Sequence, residues 1–274
     1  IAVPLGLLWF GIYWFFTKIW NGRVKFPPLE RNVFAGREGN TVDPKVQVIG
    51  VDYGGEQKAF PTNMITFHHQ VRDQIGGLPI WVTYCGLCRS GRIYNLDVEG
   101  GPFDFSLVGA ITFNATFADK QTGTWWRQET GEAAIGKLKG RVLPDVPTEQ
   151  MTLANWLEKY PEGQVLQYDE QHKRRYTFIA KLHSFEATKP AWHMHVTPPL
   201  IVGVELEGVA KAYDLEQLKT AGVVSDAVGE RAIVIAMDPA RTSAIAYSRD
   251  VEGRVLDFSA TEQGMSDAQT GSTW

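Results

Sequence analysis

The first twenty residues form the longest uncharged apolar stretch of the chain. Residues 1–17 carry no charged side chain, and the apolar run continues to residue 20 past a single lysine. About 20 apolar residues in an α-helix, with a rise of about 1.5 Å per residue, cross a hydrocarbon core about 30 Å thick. The pattern therefore predicts one transmembrane helix over residues 1–20. The side chains suited to the two membrane interfaces are Trp9, Trp14, Lys18 and Trp20.

Two other interpretations of this segment are a buried helix of a water-soluble core and a cleaved signal peptide. A signal peptide begins with Met and a basic stretch, and neither precedes Ile1, so we expect the natural N-terminus to lie upstream. Lys18, Arg23 and Lys25 flank the other end of the segment. By the positive-inside rule these charges favour a cytoplasmic location for the residues that follow.

After a polar linker over residues 21–44, the chain consists of short apolar or alternating runs bounded by glycine and proline turns. Such runs are typical of β-strands. Buried strands are predicted at Pro79–Tyr84 and Ala232–Met237. A short helix is predicted between Asp214 as N-cap and Gly222 as its stop. A further helix is predicted at residues 153–160. The predicted fold class is α+β, rich in β-structure, with a few short helices.

The region after the linker contains an internal repeat, because one constant shift superposes many residues of its two parts. The pairs are Gly50-Val51 with Gly203-Val204, Lys58-Ala59 with Lys211-Ala212, Asp73 with Asp226, Gly76 with Gly229, Asp97 to Gly100 with Asp250 to Gly253, and Asp104 to Ser106 with Asp257 to Ser259. The pattern predicts two tandem homologous β-rich units. Their expected bounds are 45–165 for repeat unit 1, 166–196 for a connecting segment, and 197–274 for a degenerate, truncated repeat unit 2.

Composition and charge exclude several classes of protein and of binding partner. The 274 residues are 44% hydrophobic and 21% charged, which is typical of a globular protein and not of a disordered, collagen-like or coiled-coil chain. The formal net charge of -4 provides no basic surface for phosphates. We therefore expect no nucleic-acid partner.

Both cysteines of the chain lie in one C-x-x-C motif, Cys85 to Cys88, directly after a predicted buried strand. Two thiols at this spacing can chelate a metal ion, act in thiol redox chemistry, or form a structural disulfide. His68 and His69, at the end of the preceding helix, are candidate nitrogen ligands. Zinc in proteins takes four ligands, whereas copper(I) accepts fewer and softer ones, so copper or zinc is the cofactor considered.

The repeat register places Asp238 and Arg241 opposite the two cysteines. The shared fold therefore does not require thiols, and the motif has either a function specific to unit 1 or a local stabilising role. His193 and His195 flank Met194 and form a second, weaker copper candidate. Asp119 and Asp267 begin D-x-Q-T-G motifs, for which we expect a tight turn capped by the carboxylate. No catalytic residue is predicted, since the sequence lacks the G-x-S-x-G, H-E-x-x-H and phosphate-loop motifs.

Several motifs occur in an order that identifies a family resemblance. They are Ile49-Gly50-Val51, Lys58-Ala59-Phe60-Pro61, Gly77-Leu78-Pro79, Thr83-Tyr84-Cys85 to Cys88, Ser90-Gly91, Thr122-Gly123-Thr124, Trp126, Gln128, Gly131 and Gly136. Together they resemble the bacterial domain of unknown function DUF3179, with Gly86 and Arg89 departing from its T-Y-C-P-L-C-G-S-G hallmark. The resemblance implies no activity, but members are often exported or membrane-anchored. It therefore implies a soluble region in the periplasm, against the flanking charges.

Two functions are expected from these observations. The first is a non-catalytic accessory subunit of the bacterial inner membrane, anchored by its single helix in the lipid bilayer. Its periplasmic region would dock onto the integral membrane subunits of a larger respiratory or photosynthetic complex. The alternative is a periplasmic Cys/His metal-binding domain or a thiol-redox domain.

Overall fold

A computed structural model of the chain describes residues 2–15, 26–86, 88–112, 114–182 and 200–274. These residues form many short strands and five α-helices, so the predicted β-rich α+β class is confirmed. The helices are Ala2–Trp14 (α1), Thr62–His68 (α2), Leu153–Lys159 (α3), Lys173–Leu182 (α4) and Leu215–Ala221 (α5).

The strands are short and mostly antiparallel. They are Phe34–Ala35 (β1), Gln47–Tyr53 (β2), Glu56–Pro61 (β3), Gln70–Ile75 (β4), Leu78–Cys85 (β5), Ser90–Asn95 (β6), Phe105–Ile111 (β7), Asn114–Asp119 (β8), Trp125–Arg127 (β9), Ala133–Ile135 (β10), Asp145–Val146 (β11), Glu149–Thr152 (β12), Gln164–Leu166 (β13), Ile201–Leu206 (β14), Val209–Asp214 (β15), Val223–Val228 (β16), Arg231–Met237 (β17), Ala244–Ser248 (β18), Asp250–Val251 (β19), Arg254–Val255 (β20), Phe258–Thr261 (β21) and Gly264–Asp267 (β22).

The chain divides into two compact units. The first comprises residues 1–148 and 153–184, and the second comprises residues 149–152 and 185–274. The described part of the expected connecting segment, residues 166–182, lies in the first unit. There α4 packs against α2, and the buried Tyr176 of α4 joins the hydrophobic core.

One layer of the first unit is a sheet in which β1, β13, β3 and β2 lie side by side in that order. Helix α3 packs on this sheet because Gly50, in the middle of β2, leaves room for the indole of Trp156. A Cβ added at Gly50 would lie 2.2 Å from Trp156 Cζ3. The close approach of indole and backbone therefore depends on a glycine at this position.

Two further sheets of the first unit have the strand orders β11-β6-β5-β4 and β10-β9-β8-β7. Aromatic side chains form a second core cluster, in which the rings of Trp81 and Phe105 stack with centroids 3.9 Å apart. The Trp81 indole N–H donates to Gln70 Oε1 at 2.8 Å, which satisfies its buried donor. These two sheets position the cysteine turn described below.

The second unit contains the hairpin β14-β15, helix α5 and the three-stranded sheet β16-β17-β18. Its core consists of apolar side chains from α5 and the sheet, including Leu215, Leu218, Ile233 and Ile235. The predicted N-cap of α5 is confirmed, because the Asp214 carboxylate accepts from Gln217 N at 2.9 Å.

The buried strands β5 and β17 lie within one residue of their predicted bounds, whereas β4, β16 and α4 were not predicted. In β4 only Val71 and Ile75 are buried, and the intervening residues are polar. The strand exists because it pairs along its whole length with β5, from Gln70↔Thr83 to Ile75↔Leu78. The strand could not be predicted from the local pattern of apolar and polar residues, because that pattern does not show which strand pairs with it.

Helix α1 covers thirteen residues of the segment expected to span a membrane. Trp9 is 69% exposed and Trp14 is 48% exposed, while Lys18 and Trp20 lie outside the described residues. Among the helices that the structure describes, none combines the length and the apolar character needed to cross a bilayer.

Candidate functional site

The two cysteines lie at the turn between β5 and β6 in the first unit. Cys85 ends β5 and is 4% exposed, whereas Cys88 is exposed on the turn. Their Sγ atoms are 3.3 Å apart. A disulfide bond measures about 2.05 Å, so the structure shows two thiols in contact and no disulfide. The pair thus consists of one exposed and one buried cysteine whose sulfurs are in contact.

Side chains from the neighbouring sheet hold the exposed sulfur. Asn114, the first residue of β8, donates from Nδ2 to Cys88 Sγ at 3.5 Å and to Gln128 Oε1 at 2.9 Å. Gln128 is fully buried, and its Nε2 donates to Thr83 Oγ1 at 3.1 Å and to the Ser90 carbonyl at 3.2 Å. The cysteine turn is thus attached to both sheets by one chain of amide hydrogen bonds.

Three buried oxygen atoms in this neighbourhood have no hydrogen-bond donor among the described residues. They are Ser90 Oγ, Asn114 Oδ1 and Glu129 Oε2. Buried acceptors without donors are rare in native proteins and cost about 1–3 kcal/mol each.

The pKa of the Cys88 thiol is raised well above its ordinary value. The hydrogen bond with Cys85 is the largest effect that raises the pKa of Cys88, and burial and the Glu129 carboxylate add to it. The Asn114 amide acts in the opposite direction, because its N–H stabilises a thiolate. Such a pair loses its protons in two separate steps.

His68 is placed in the core of the first unit and not beside the thiols. Its Nδ1 is 2.5 Å from the Pro27 carbonyl, and its Nε2 is 2.6 Å from the Tyr176 hydroxyl. A carbonyl oxygen only accepts, so Nδ1 carries the proton and Nε2 accepts from Tyr176. Desolvation by burial lowers the pKa of His68 and keeps the ring neutral. Both ring nitrogens are therefore occupied.

His69 follows α2 in the left-handed conformation, with φ of 65°, and its ring packs 4.3 Å from that of Phe26. Burial lowers its pKa to about 4. Within the described residues, no group of three or more His, Cys, Asp or Glu side chains is arranged to hold a metal ion. The structure thus brings Cys85 and Cys88 together, while His193 and His195 lie outside the described residues.

In the second unit, the turn that contains Asp238 and Arg241 has different chemistry. The Asp238 carboxylate accepts from Thr242 N at 2.6 Å and from Thr242 Oγ1 at 2.9 Å, and it also accepts from Ser243 N. The turn is closed by an ordinary carboxylate cap. The dithiol therefore belongs to the first unit alone.

The carboxylate caps expected in the D-x-Q-T-G motifs are confirmed in both units. Asp119 Oδ1 accepts from Thr122 N and Asp267 Oδ1 accepts from Thr270 N, each at 2.5 Å. In both loops the second carboxylate oxygen accepts from an indole, at 2.8 Å from Trp126 and at 3.0 Å from Trp274. These aspartates stabilise loops and take no part in the dithiol site.

Sequence reasoning did not select Asn114, Thr83 or Glu129 for the site. Asn114 lies at the end of a hairpin, where asparagine is common for reasons of turn geometry, and nothing local marks it. Thr83 and Gln128 occur in the sequence motifs of the family, but these motifs do not show that the two side chains contact each other. Their role depends on the approach of two sheets, which the spacing of residues along the chain does not reveal.

The fold and the site define a β-rich protein that carries a dithiol turn at the end of a buried strand. The family model described as protein of unknown function (DUF3179) matches residues 23–274, and the chain belongs to this family. No curated protein and no solved structure matches the chain.

Proposed function

We propose that the first unit is a thiol-redox domain that exchanges electrons with disulfides through Cys85 and Cys88. The observation that carries the proposal is the 3.3 Å contact between the sulfurs of an exposed and a buried cysteine. Closing a disulfide requires the sulfurs to approach by little more than 1 Å. An exposed cysteine can form a mixed disulfide, and a second cysteine in contact with it can resolve that disulfide. Because the pKa of Cys88 is raised, its reactive thiolate is a small fraction at neutral pH.

The reaction is balanced with a partner disulfide as the oxidant. The Cys88 thiolate attacks one sulfur of the partner, forms a mixed disulfide and expels the other partner sulfur as a thiolate. Cys85 then loses its proton, attacks the Cys88 sulfur and releases the second partner thiolate. The domain loses two electrons and two protons, and the partner gains them.

The described residues at the same turn provide fewer ligands than a zinc site needs. The described site supplies two sulfur donors, and the two ring nitrogens of His68 are held by Pro27 and Tyr176. Zinc would need two further ligands from elsewhere. Copper(I) would accept two sulfurs, and its binding is the alternative outcome of the experiment below.

The test is the oxidation of the reduced full-length chain by oxidised glutathione. We expect both thiols to become unreactive to maleimide while the protein stays monomeric on a non-reducing gel. Cys85→Ser should accumulate a mixed disulfide with glutathione at Cys88, because no second sulfur resolves it. Two thiols that remain reactive, or a disulfide formed only between chains, would refute the proposal. Stoichiometric copper(I) without oxidation would favour the metal-binding alternative.

A second function, that of a membrane-anchored accessory subunit, is favoured by α1. This helix has no charged residue, and the apolar side chains Leu7, Leu8, Trp9, Phe10 and Tyr13 are all exposed. A helix that is apolar on all sides is normally buried, in a protein core or in a membrane. We propose that α1 belongs to an anchor in the bacterial inner membrane. The periplasmic units would then dock onto the integral membrane subunits of a respiratory or photosynthetic complex.

Leu8→Arg tests the anchor, since a charge near the centre of a membrane helix costs about 2.5–3.5 kcal/mol. We expect carbonate to release this variant from membranes while the unchanged chain stays in the pellet. Val33→Arg is the control, because Val33 is also exposed (45%) but lies outside α1. Equal extraction of all three chains would argue against the anchor. Recovery of the full chain from mild detergent without partner subunits would argue against the accessory role.

We also propose that the two units arose by duplication of one ancestral unit. The order of two strands, a short helix and three strands occurs in both, as β2 to β6 with α2 and as β14 to β18 with α5. The matching hydrogen bonds of the two D-x-Q-T-G loops support the same conclusion.

A further inference from the structure

We infer that Asn114 and Gln128 are positioning residues that direct disulfide exchange to Cys88 by holding an amide N–H against its sulfur. The inference rests on the proposed redox function and deepens it, because it assigns distinct roles to the two sulfurs. Cys88 would form the mixed disulfide, and Cys85 would resolve it.

The orientation of the Gln128 amide follows from its partners. The Ser90 carbonyl can only accept, so the nitrogen of the amide must face it, at 3.2 Å. The second proton of this nitrogen goes to Thr83 Oγ1 at 3.1 Å. Thr83 uses its own hydroxyl proton to donate to the Arg92 carbonyl at 3.2 Å. The oxygen of Gln128 therefore faces Asn114.

The orientation of Asn114 follows in turn. Gln128 Oε1 needs a donor, so Asn114 presents its nitrogen, at 2.9 Å. The remaining proton on that nitrogen points to Cys88 Sγ at 3.5 Å. Both protons of the Asn114 amide are then in use. Cys85 Sγ lies 3.3 Å from Cys88 Sγ, so Cys88 contacts both the amide N–H and the second sulfur.

The chemical consequence concerns which sulfur carries negative charge. The thiolate is the reacting species in disulfide exchange, and an N–H donor stabilises it. Asn114 offers this stabilisation to the sulfur that is also exposed to a partner. Gln128 is fixed through its backbone as well as its side chain, since its backbone oxygen accepts from Tyr94 Oη at 2.7 Å. It therefore fixes the donor in place.

Single-cysteine variants test the assignment in the full-length chain. Cys85→Ser leaves Cys88, and Cys88→Ser leaves Cys85; the probe is the rate of reaction with Ellman's reagent at pH 8. Adding Asn114→Leu should slow Cys88 roughly tenfold, as expected when a charged acceptor loses an amide donor. Cys85 should change by less than about twofold. Gln128→Met should slow Cys88 in the same direction but less.

Asn95→Leu is the matched control, because the Asn95 amide oxygen accepts from Asp97 N and lies away from the sulfurs. Asn114→Asp provides a second variant of the same size, whose carboxylate should slow Cys88 further by repelling a thiolate. Equal slowing of both cysteines, or an unchanged Cys88 rate in folded Asn114→Leu and Asn114→Asp variants, would overturn the inference. Neither single-cysteine variant can form an internal disulfide, so this result is independent of whether the native pair is oxidised by glutathione.

Discussion

Asp119 and Asp267 show how one side chain can determine the conformation of a loop. Each carboxylate accepts from a backbone N–H, a threonine hydroxyl and an indole in its own unit. The first two contacts follow from the spacing of the D-x-Q-T-G motif, and the turn was predicted from it. The indole contact was not predicted, because it requires the strand after the loop to return along the strand before it.

Asp119→Asn should destabilise the protein by about 1.5–3 kcal/mol at pH 7, because the amide replaces a charged acceptor with a donor. Burial favours a higher pKa for Asp119, but the hydrogen bonds from Trp126 and Thr122 outweigh it and lower the pKa. This stabilisation is fully present above the unfolded pKa of about 3.9 and is lost as pH falls through the lower folded value. Urea unfolding at pH 7 and pH 3 should show the difference narrowing in acid.

Asp97→Asn is the control for this experiment, since Asp97 is exposed. Its substitution should change the free energy of unfolding by less than about 0.5 kcal/mol at both pH values. A penalty for Asp119→Asn that stays constant from pH 7 to pH 3 would contradict the proposed role of the carboxylate charge.

At the level of elements, the hairpins β2-β3 and β14-β15 have different surroundings within their own units. In the first unit α3 covers β2, with Trp156 against Gly50, whereas an added Cβ at Gly203 in β14 would meet no atom within 4 Å. The constant shift along the sequence aligns Gly50 with Gly203, and each lies in a strand. It does not reveal which of the two glycines lies under a helix, because α3 comes from a distant part of the chain.

Gly50→Ala should destabilise the first unit by about 1–3 kcal/mol, the range for overpacking, because the new methyl group would collide with the Trp156 ring. Gly203→Ala is the matched control and should change the free energy of unfolding by less than about 0.5 kcal/mol. Urea unfolding followed by tryptophan fluorescence measures both. Equal effects of the two substitutions would show that the contact with Trp156 is not responsible.

At the scale of the whole molecule, local patterns determine much of the β-rich fold but little of the site. The predicted strand Pro79–Tyr84 agrees with β5, Leu78–Cys85, to within one residue at each end. The prediction succeeded because alternation and turn residues are local signals. Helix α4 was missed because Tyr176, the one buried residue among those of α4 whose burial is described, makes its contacts with α2. The C-x-x-C motif was visible in the sequence, but its amide support comes from another sheet.

The hydrogen-bonded imidazole proton of His68 can be used as an NMR probe. Its imidazole proton is enclosed between the ring and the Pro27 carbonyl, in a side chain that is almost fully buried. Exchange of this proton with water requires local opening of the first unit, so its NMR resonance would serve as a built-in reporter of that unit's integrity. The reporter does not involve sulfur. It would separate loss of folding from loss of thiol reactivity in the variants of the first unit.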